Sequence, residues 1–165
     1  MELFRFDAPG SVDGWGAIDD RVMGGVSRSR LRFDPDGHAV FEGVVSLDRG
    51  GGFASVRSSP RALSAPGAIA YVVEVSGDGR RYKLNLHTDG GFDGVQYQAA
   101  FEAPAGTWRA VRLPVEGFRP TFRGRLVPGA PPLDPARVRQ VGLMIADGRA
   151  GPFALAVRTI AASTT

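Results

Sequence analysis

Eight residues have types and settings that suit a ligand or a partner: Trp15, Asp19, Asp20, Met23, Arg57, Asp78, Arg80 and Asp147. Asp19 and Asp20 stand next to Arg21, ahead of the apolar pair Val22-Met23 and the glycines Gly24 and Gly25. Adjacent carboxylates before so pliant a backbone could meet hydroxyls, amines or a cation. They could equally cap the backbone N–H groups of their own loop. Arg57 closes a short apolar run after Gly50, Gly51 and Gly52. Its planar guanidinium could read an anion through a two-pronged fork, or pair with Asp19 or Asp20 and leave no site. The segments Gly77-Asp-Gly-Arg-Arg-Tyr82 and Asp147-Gly-Arg149 put further charges into turns. Asp78, Asp89 and Asp93 raise the question of calcium, but their spacing matches no calcium loop. Each precedes a glycine, as turn-forming aspartates do.

Other chemistries are excluded or lack a motif. The 165 residues contain no cysteine, which removes disulfides, thiolate metal sites and cysteine nucleophiles. His38 and His87 lie far apart with no metal-ligating neighbour, so no metal is expected. Lys83 is the only lysine, and it stands outside any phosphate-binding loop. The glycines at 77 and 79 lead into a strand pattern, whereas a dinucleotide site needs a helix there. Neither a nucleophile elbow nor a zinc-protease helix motif occurs. The expectation is therefore no catalytic set and no cofactor.

Basic residues number 20 and acidic residues 17, a net charge of +3. The arginines are scattered, so nucleic acid is not an expected partner. Their dominance over the single lysine reads as the coding habit of a GC-rich genome. No apolar run is long enough for a transmembrane segment, and the start resembles no signal peptide, which points to the cytoplasm.

The elements that must carry these residues are strands. Ser27 to Leu47 reads as a hairpin about Asp34-Pro-Asp-Gly37. Tyr82, Leu84 and Leu86 alternate with Arg81, Lys83, Asn85 and His87, and Gln96 and Gln98 share a parity in the following strand. That polar parity suits a solvated outer sheet face, or else a face that takes sugars or peptides. Tyr82, Tyr97 and Trp108 fall on the core parity, which weighs against sugar binding. Further strands are expected near Phe4, at 53–57, 69–75, 108–113, 138–146 and 153–160. A short helix is expected at Leu133 to Val138, capped by Asp134 before Pro135, a turn at Asp13 to Asp20, and a frayed tail at 161–165. Nine or ten strands with few helices predict an all-β fold, an antiparallel sandwich or barrel, with residues 1–160 as a single domain. Glycine, 23 of the 165 residues, falls largely at the turns such a fold needs.

Several segments, in order along nearly the whole chain, resemble the complex I intermediate-associated protein 30 family. They are Trp15 with Asp19-Asp-Arg-Val-Met-Gly-Gly-Val-Ser27, Phe41 to Ser46, Gly51-Gly-Phe-Ala-Ser-Val-Arg57 and Gly77 to Tyr82. Tyr97 with Phe101, Trp108, Phe118 to Gly124, and Ile145 to Gly148 with Gly151-Pro-Phe153 complete the set. The chain has Gly50 where the family often has asparagine. The resemblance implies a galactose-binding-like jelly-roll β-sandwich. It also implies a chaperone-like role in assembly of respiratory complex I, known for the mitochondrial members. The start shows no Arg- and Ser-rich leader, so the expectation is a bacterial stand-alone member. The recurrent charged positions match Asp19, Asp20, Arg57, Asp78, Arg80 and Asp147, either as an ordering network or as a binding site.

Three functions follow as expectations. The first is a non-catalytic assembly module with a protein partner, marked by an apolar patch near Val22-Met23 or by a groove at an unpaired sheet edge. The second is a carbohydrate or small polar ligand module, needing a pocket that joins Asp19 or Asp20, Arg57 and a ring such as Trp15. The third is an enzyme with paired carboxylates or an activated nucleophile in one cleft.

Overall fold

A computed structural model describes residues 1–20, 24–88 and 94–165. Its described residues form two antiparallel sheets that enclose an apolar core, the expected β-sandwich. The strands are β1 (Glu2–Arg5), β2 (Trp15–Ala17), β3 (Arg28–Asp34), β4 (His38–Val45), β5 (Ala54–Ser58), β6 (Ala70–Ser76) and β7 (Arg81–His87). They continue as β8 (Gln96–Glu102), β9 (Arg109–Pro114), β10 (Arg119–Phe122), β11 (Arg125–Leu126), β12 (Gln140–Ile145) and β13 (Gly151–Ser163).

One sheet runs β3-β4-β13-β6-β9, with β1 also paired to β13. The other runs β11-β10-β8-β7-β12-β5-β2. Alternation sets which face is buried. Tyr82, Leu84 and Leu86 of β7 are fully buried between the sheets, beside Val141, Leu143 and Ile145 of β12. Phe41 of β4 meets Phe153 of β13 edge to face at 4.9 Å and Tyr82 of the opposite sheet at 6.2 Å. Edge-to-face rings add about 0.5–1.5 kcal/mol per pair beyond the area they bury.

Three local expectations change. Asp13 to Asp20 is more than a turn, because Trp15–Ala17 pairs with β5 as a short strand. The end of the chain is not frayed from residue 161. Ala161, Ala162 and Ser163 pair with Val72, Tyr71 and Ala70 of β6, so the strand reaches Ser163. Trp108 is not a core residue. It packs against His38 on the outer side of the first sheet, with the Arg158 guanidinium 3.8 Å above its ring. The short helix before β12 is a 3-10 turn at Pro135–Arg137, with the Asp134 carboxylate accepting from the Ala136 N–H at 3.0 Å.

Candidate functional site

Six of the eight candidates separate into two polar networks and a cleft, Trp15 packs toward the core, and Met23 lies outside the described residues. Asp20, 1% exposed, follows β2 and anchors the first network. Its Oδ1 accepts from the Ser27 N–H at 2.8 Å. Its Oδ2 accepts from the Ser27 hydroxyl at 2.5 Å and from the N–H groups of Gly52 at 2.7 Å and Phe53 at 3.3 Å. Burial alone would raise this carboxyl. The donors from Ser27, Gly52 and Phe53 outweigh burial and hold it below its ordinary value. Gly25 and Gly51 are close-approach glycines here. A Cβ would come within 2.4 Å of the carboxylate at Gly25 and 2.5 Å at Gly51. Asp19, 4% exposed, accepts from the Ser29 hydroxyl at 2.5 Å and the Ser55 N–H at 2.9 Å. Trp15 turns toward the core, edge-on to Phe4 at 5.0 Å and Phe6 at 5.8 Å. Met23, with Val22, lies outside the described residues.

The second network joins the β6–β7 and β12–β13 turns. Arg80 donates through Nε to Asp147 Oδ2 at 2.9 Å and through Nη2 to Oδ1 at 2.7 Å. Its remaining donors reach the carbonyls of Arg149, Gly151 and Pro152 at 2.5, 3.2 and 3.0 Å. The hydrogen bond from Arg80 holds the Asp147 carboxyl below its ordinary range, against the effect of burial. Asp78 accepts from the Arg80 N–H, the Tyr82 hydroxyl and the Ala154 N–H at 2.9–3.0 Å. Burial, with Asp78 adding to it, pushes the Tyr82 phenol up. Asp78 thus acts as a turn aspartate, while Asp89 and Asp93 lie outside the described residues.

Arg57 stands apart from the second network, on the outer face of the seven-stranded sheet. There a cleft of about 330 Å³ crosses β5, β12, β7 and β8. Arg57, Lys83, Gln96, Gln98 and Met144 line it, with Phe53, Phe122 and Arg123 among its remaining walls. Trp15, Asp19 and Asp20 do not line it, so the pocket expected from those residues with Arg57 is not assembled that way. The polar parity of β7 and β8 is not a solvated face either. Asn85, His87 and Gln98 are buried, because side chains of adjacent strands pack across the sheet. The amides of Asn85 and Gln98 approach the Met144 sulfur at 3.8 and 3.5 Å. Lys83 is half-buried, and burial together with neighbouring Arg81 pushes its ammonium down. The cleft residues Lys83, Gln96, Gln98 and Met144 were not among the eight. Their signal was the shared parity of the chain's only lysine with two strands' worth of amides. Among the described residues, no group of three acidic or histidine side chains could hold a metal.

A second surface lies where the two sheets end. Among the described residues, β9 pairs only with β6, and β11 pairs only with β10. Between these edge strands runs an open groove of about 1050 Å³, walled by Pro114, Pro120, Pro128 and Pro131. Ile69 and Leu126 line it while 51% and 66% exposed.

The family model described as Complex I intermediate-associated protein 30 matches residues 4–157. The chain belongs to that family. A curated relative, "Complex I intermediate-associated protein 30, mitochondrial" of Drosophila melanogaster, is 30% identical over 94% of this chain. The chain spans 60% of that relative's length. An uncharacterized protein of Schizosaccharomyces pombe is 29% identical over 88% of this chain and 76% of its own length. Among solved structures, a family 11 carbohydrate-binding module from Clostridium thermocellum, in complex with a mixed-linked tetrasaccharide, superposes with a TM-score of 0.68. The two are 16% identical, over 96% of this chain and 92% of the other. An exo-beta-agarase superposes with a TM-score of 0.59 at 10% identity, over 98% of this chain and 25% of its own. These likenesses establish the galactose-binding-like β-sandwich of the family as the fold. No helix among the described residues is long and apolar enough to cross a membrane.

Two tests follow from the networks. Asp20→Asn turns an amide N–H₂ toward N–H donors and should cost about 2–4 kcal/mol at neutral pH. Because the Asp20 carboxyl is held below its ordinary 3.8, its stabilisation is present above that pH and is lost as pH falls through the lower folded value. The difference in urea midpoint between wild type and variant should therefore narrow below pH 3.8. Asp147→Ala, which strands the buried Arg80 charge, should cost about 3–5 kcal/mol. The double variant Arg80→Met/Asp147→Leu should be more stable than Asp147→Ala in the same measurement.

Proposed function

We propose that residues 1–160 act as one non-catalytic binding module of the assembly-factor type, engaging a protein partner connected with respiratory complex I. The observation that carries this reading is the groove between β9 and β11. It combines two features that a polypeptide uses together: an unpaired backbone edge and an apolar trough. Exposed Ile69 and Leu126 would otherwise gain from being covered, at about 25 cal/mol per Å² of apolar surface. The proline-rich wall is rigid, so little ordering entropy opposes docking. The occupant that fits is an extended segment with apolar side chains, lying along the edge of β9. The name of the Drosophila relative supports complex I assembly as the setting.

Leu126 and Ile69 are exposed, so polar replacements there should leave the fold intact. The tagged chain and its Leu126→Asp and Ile69→Asp variants would be used for affinity capture from the source cell. The expected outcome is recovery of subunits of respiratory complex I by the wild type and their loss from both variants. Equal recovery by all three forms, or recovery of no such subunit, would overturn the proposal.

A further inference from the structure

The cleft on the seven-stranded sheet shares no lining residue with that groove and has a different chemistry. Its charged lining residues, among those described, are Arg57, Lys83 and Arg123, all basic. They arrive from three separate elements: β5, β7 and the turn between β10 and β11. The chain as a whole carries 20 basic and 17 acidic residues.

Lys83 has no ion pair among the described residues, although it is half-buried. Asp147 shares a neighbouring depression with it, but that carboxylate is held bidentate by Arg80. A desolvated cation beside another cation is costly unless an anion joins it. The amides nearby are equally uncommitted. Gln98 and Asn85 direct N–H groups at the Met144 sulfur, a weak acceptor. The Asn85 Oδ1 is buried without a hydrogen-bond partner. A ligand oxygen would be a better acceptor for the Gln98 amide than the thioether is.

Arg123 adds an independent sign. It sits at φ 50, followed by Gly124 at φ 80, in the tight turn joining β10 to β11. Glycine or asparagine is the cheaper residue at such a position. An arginine there places a guanidinium at the mouth of the cleft, 5.4 Å from the Phe122 ring centroid. Backbone strain of this kind is found at ligand-contacting positions, although Arg49 has a similar φ of 55 outside the cleft.

We infer that the cleft binds a small organic oxyanion, a carboxylate or phosphate carried on a hydroxylated carbon skeleton. The basic trio meets the charge. Gln96, Gln98 and Ser55 meet hydroxyls, while Met144, Phe53 and Phe122 cover the carbon atoms. The volume of about 330 Å³ suits a ligand the size of one sugar phosphate or sugar acid.

The single lysine supplies the probe. Reductive methylation with carbon-13 labels Lys83 and the α-amine, keeps both charges, and leaves one side-chain resonance to follow. The titrants are glucuronate, glucose 6-phosphate, glucose and inorganic phosphate. The expected result is a saturable shift of the Lys83 signal by glucuronate or glucose 6-phosphate, half-complete below about 10 mM. Which of the two acts identifies the anionic group. Glucose and inorganic phosphate should bind at least about tenfold more weakly. Arg57→Gln should weaken the response about tenfold or more. Arg123→Gly should weaken it as well. Leu126→Asp should leave it unchanged, which separates this cleft from the groove. No saturable shift with either organic anion would overturn the inference. So would an equal response to glucose or to inorganic phosphate, or an unaltered response in Arg57→Gln.

Discussion

The Asp20 carboxylate holds together the two connections on which one end of the sandwich depends. Ser27 supplies an N–H and a hydroxyl at the entry to β3, and Gly52 and Phe53 supply N–H groups at the entry to β5. These strands belong to different sheets. A single buried charge therefore joins both layers without an opposing charge among its hydrogen-bond donors. Four convergent donors compensate the desolvation that would otherwise neutralise it. Glycine at 25 and 51 is required because the carboxylate occupies the space where their Cβ atoms would stand. Ser27 extends the junction by accepting from the Ser46 N–H, at the end of the β3–β4 hairpin. Phe53, fixed by its N–H bond to Asp20, is also a wall of the cleft. The anchor thus positions one wall of the cleft without lining it.

Arg80 and Asp147 do the corresponding work for the β6–β7 and β12–β13 turns. Their pair differs in kind, because two opposite charges are buried together and each needs the other. Arg80 also engages three carbonyls of the turn that leads into β13. Both networks satisfy their buried polar groups internally, as native interiors generally do. Lys83 contrasts with them. It is half-buried, flanked by Arg81, and has no carboxylate engaged with it among the described residues. A charge matched by its own protein belongs to the architecture. A half-buried cation beside another cation and a cleft supports the proposed anion site.

Most of the strands were legible because one face of each is buried and the apolar residues alternate accordingly. The β3–β4 hairpin followed directly from its Asp34-Pro-Asp-Gly37 turn. β10 escaped notice because Pro120 lies within it, and proline lacks the N–H that a ladder uses. It is tolerated there in a strand near the sheet edge, whose outer neighbour is only two residues long. The frayed-tail expectation failed because Ala161 to Ser163 lack bulk, whereas their order comes from ladder bonds to β6. Arg80 and Asp147 were both conspicuous, but they are 67 positions apart and only the sheet order brings their turns together. The polar face of β7 and β8 was visible as a parity. Its burial was not, since that depends on Met144 of β12 packing across both strands. Gly50 was noted as a departure from asparagine. Its φ of 72 is a conformation that both residues tolerate, so the exchange leaves the backbone unstrained.

Shared fold and shared ligand part company at the aromatic residues. A neutral sugar gains most of its adhesion from rings that present a flat face. Here Tyr82 and Tyr97 point into the core, with the Tyr97 hydroxyl donating to the Pro131 carbonyl. Trp108 lies on the other sheet with its face covered by Arg158. Among the described residues, Phe53 and Phe122 are the rings at the cleft, and Arg123 lies over Phe122. Among the described residues, the cleft across one sheet is lined with guanidinium, ammonium and amide groups beside Phe53 and Phe122. Guanidinium and ammonium groups favour an anionic ligand, the occupant proposed for the cleft. The apolar trough lies instead at the sheet edges, where backbone groups are unpaired and a polypeptide, not a sugar, has the matching chemistry.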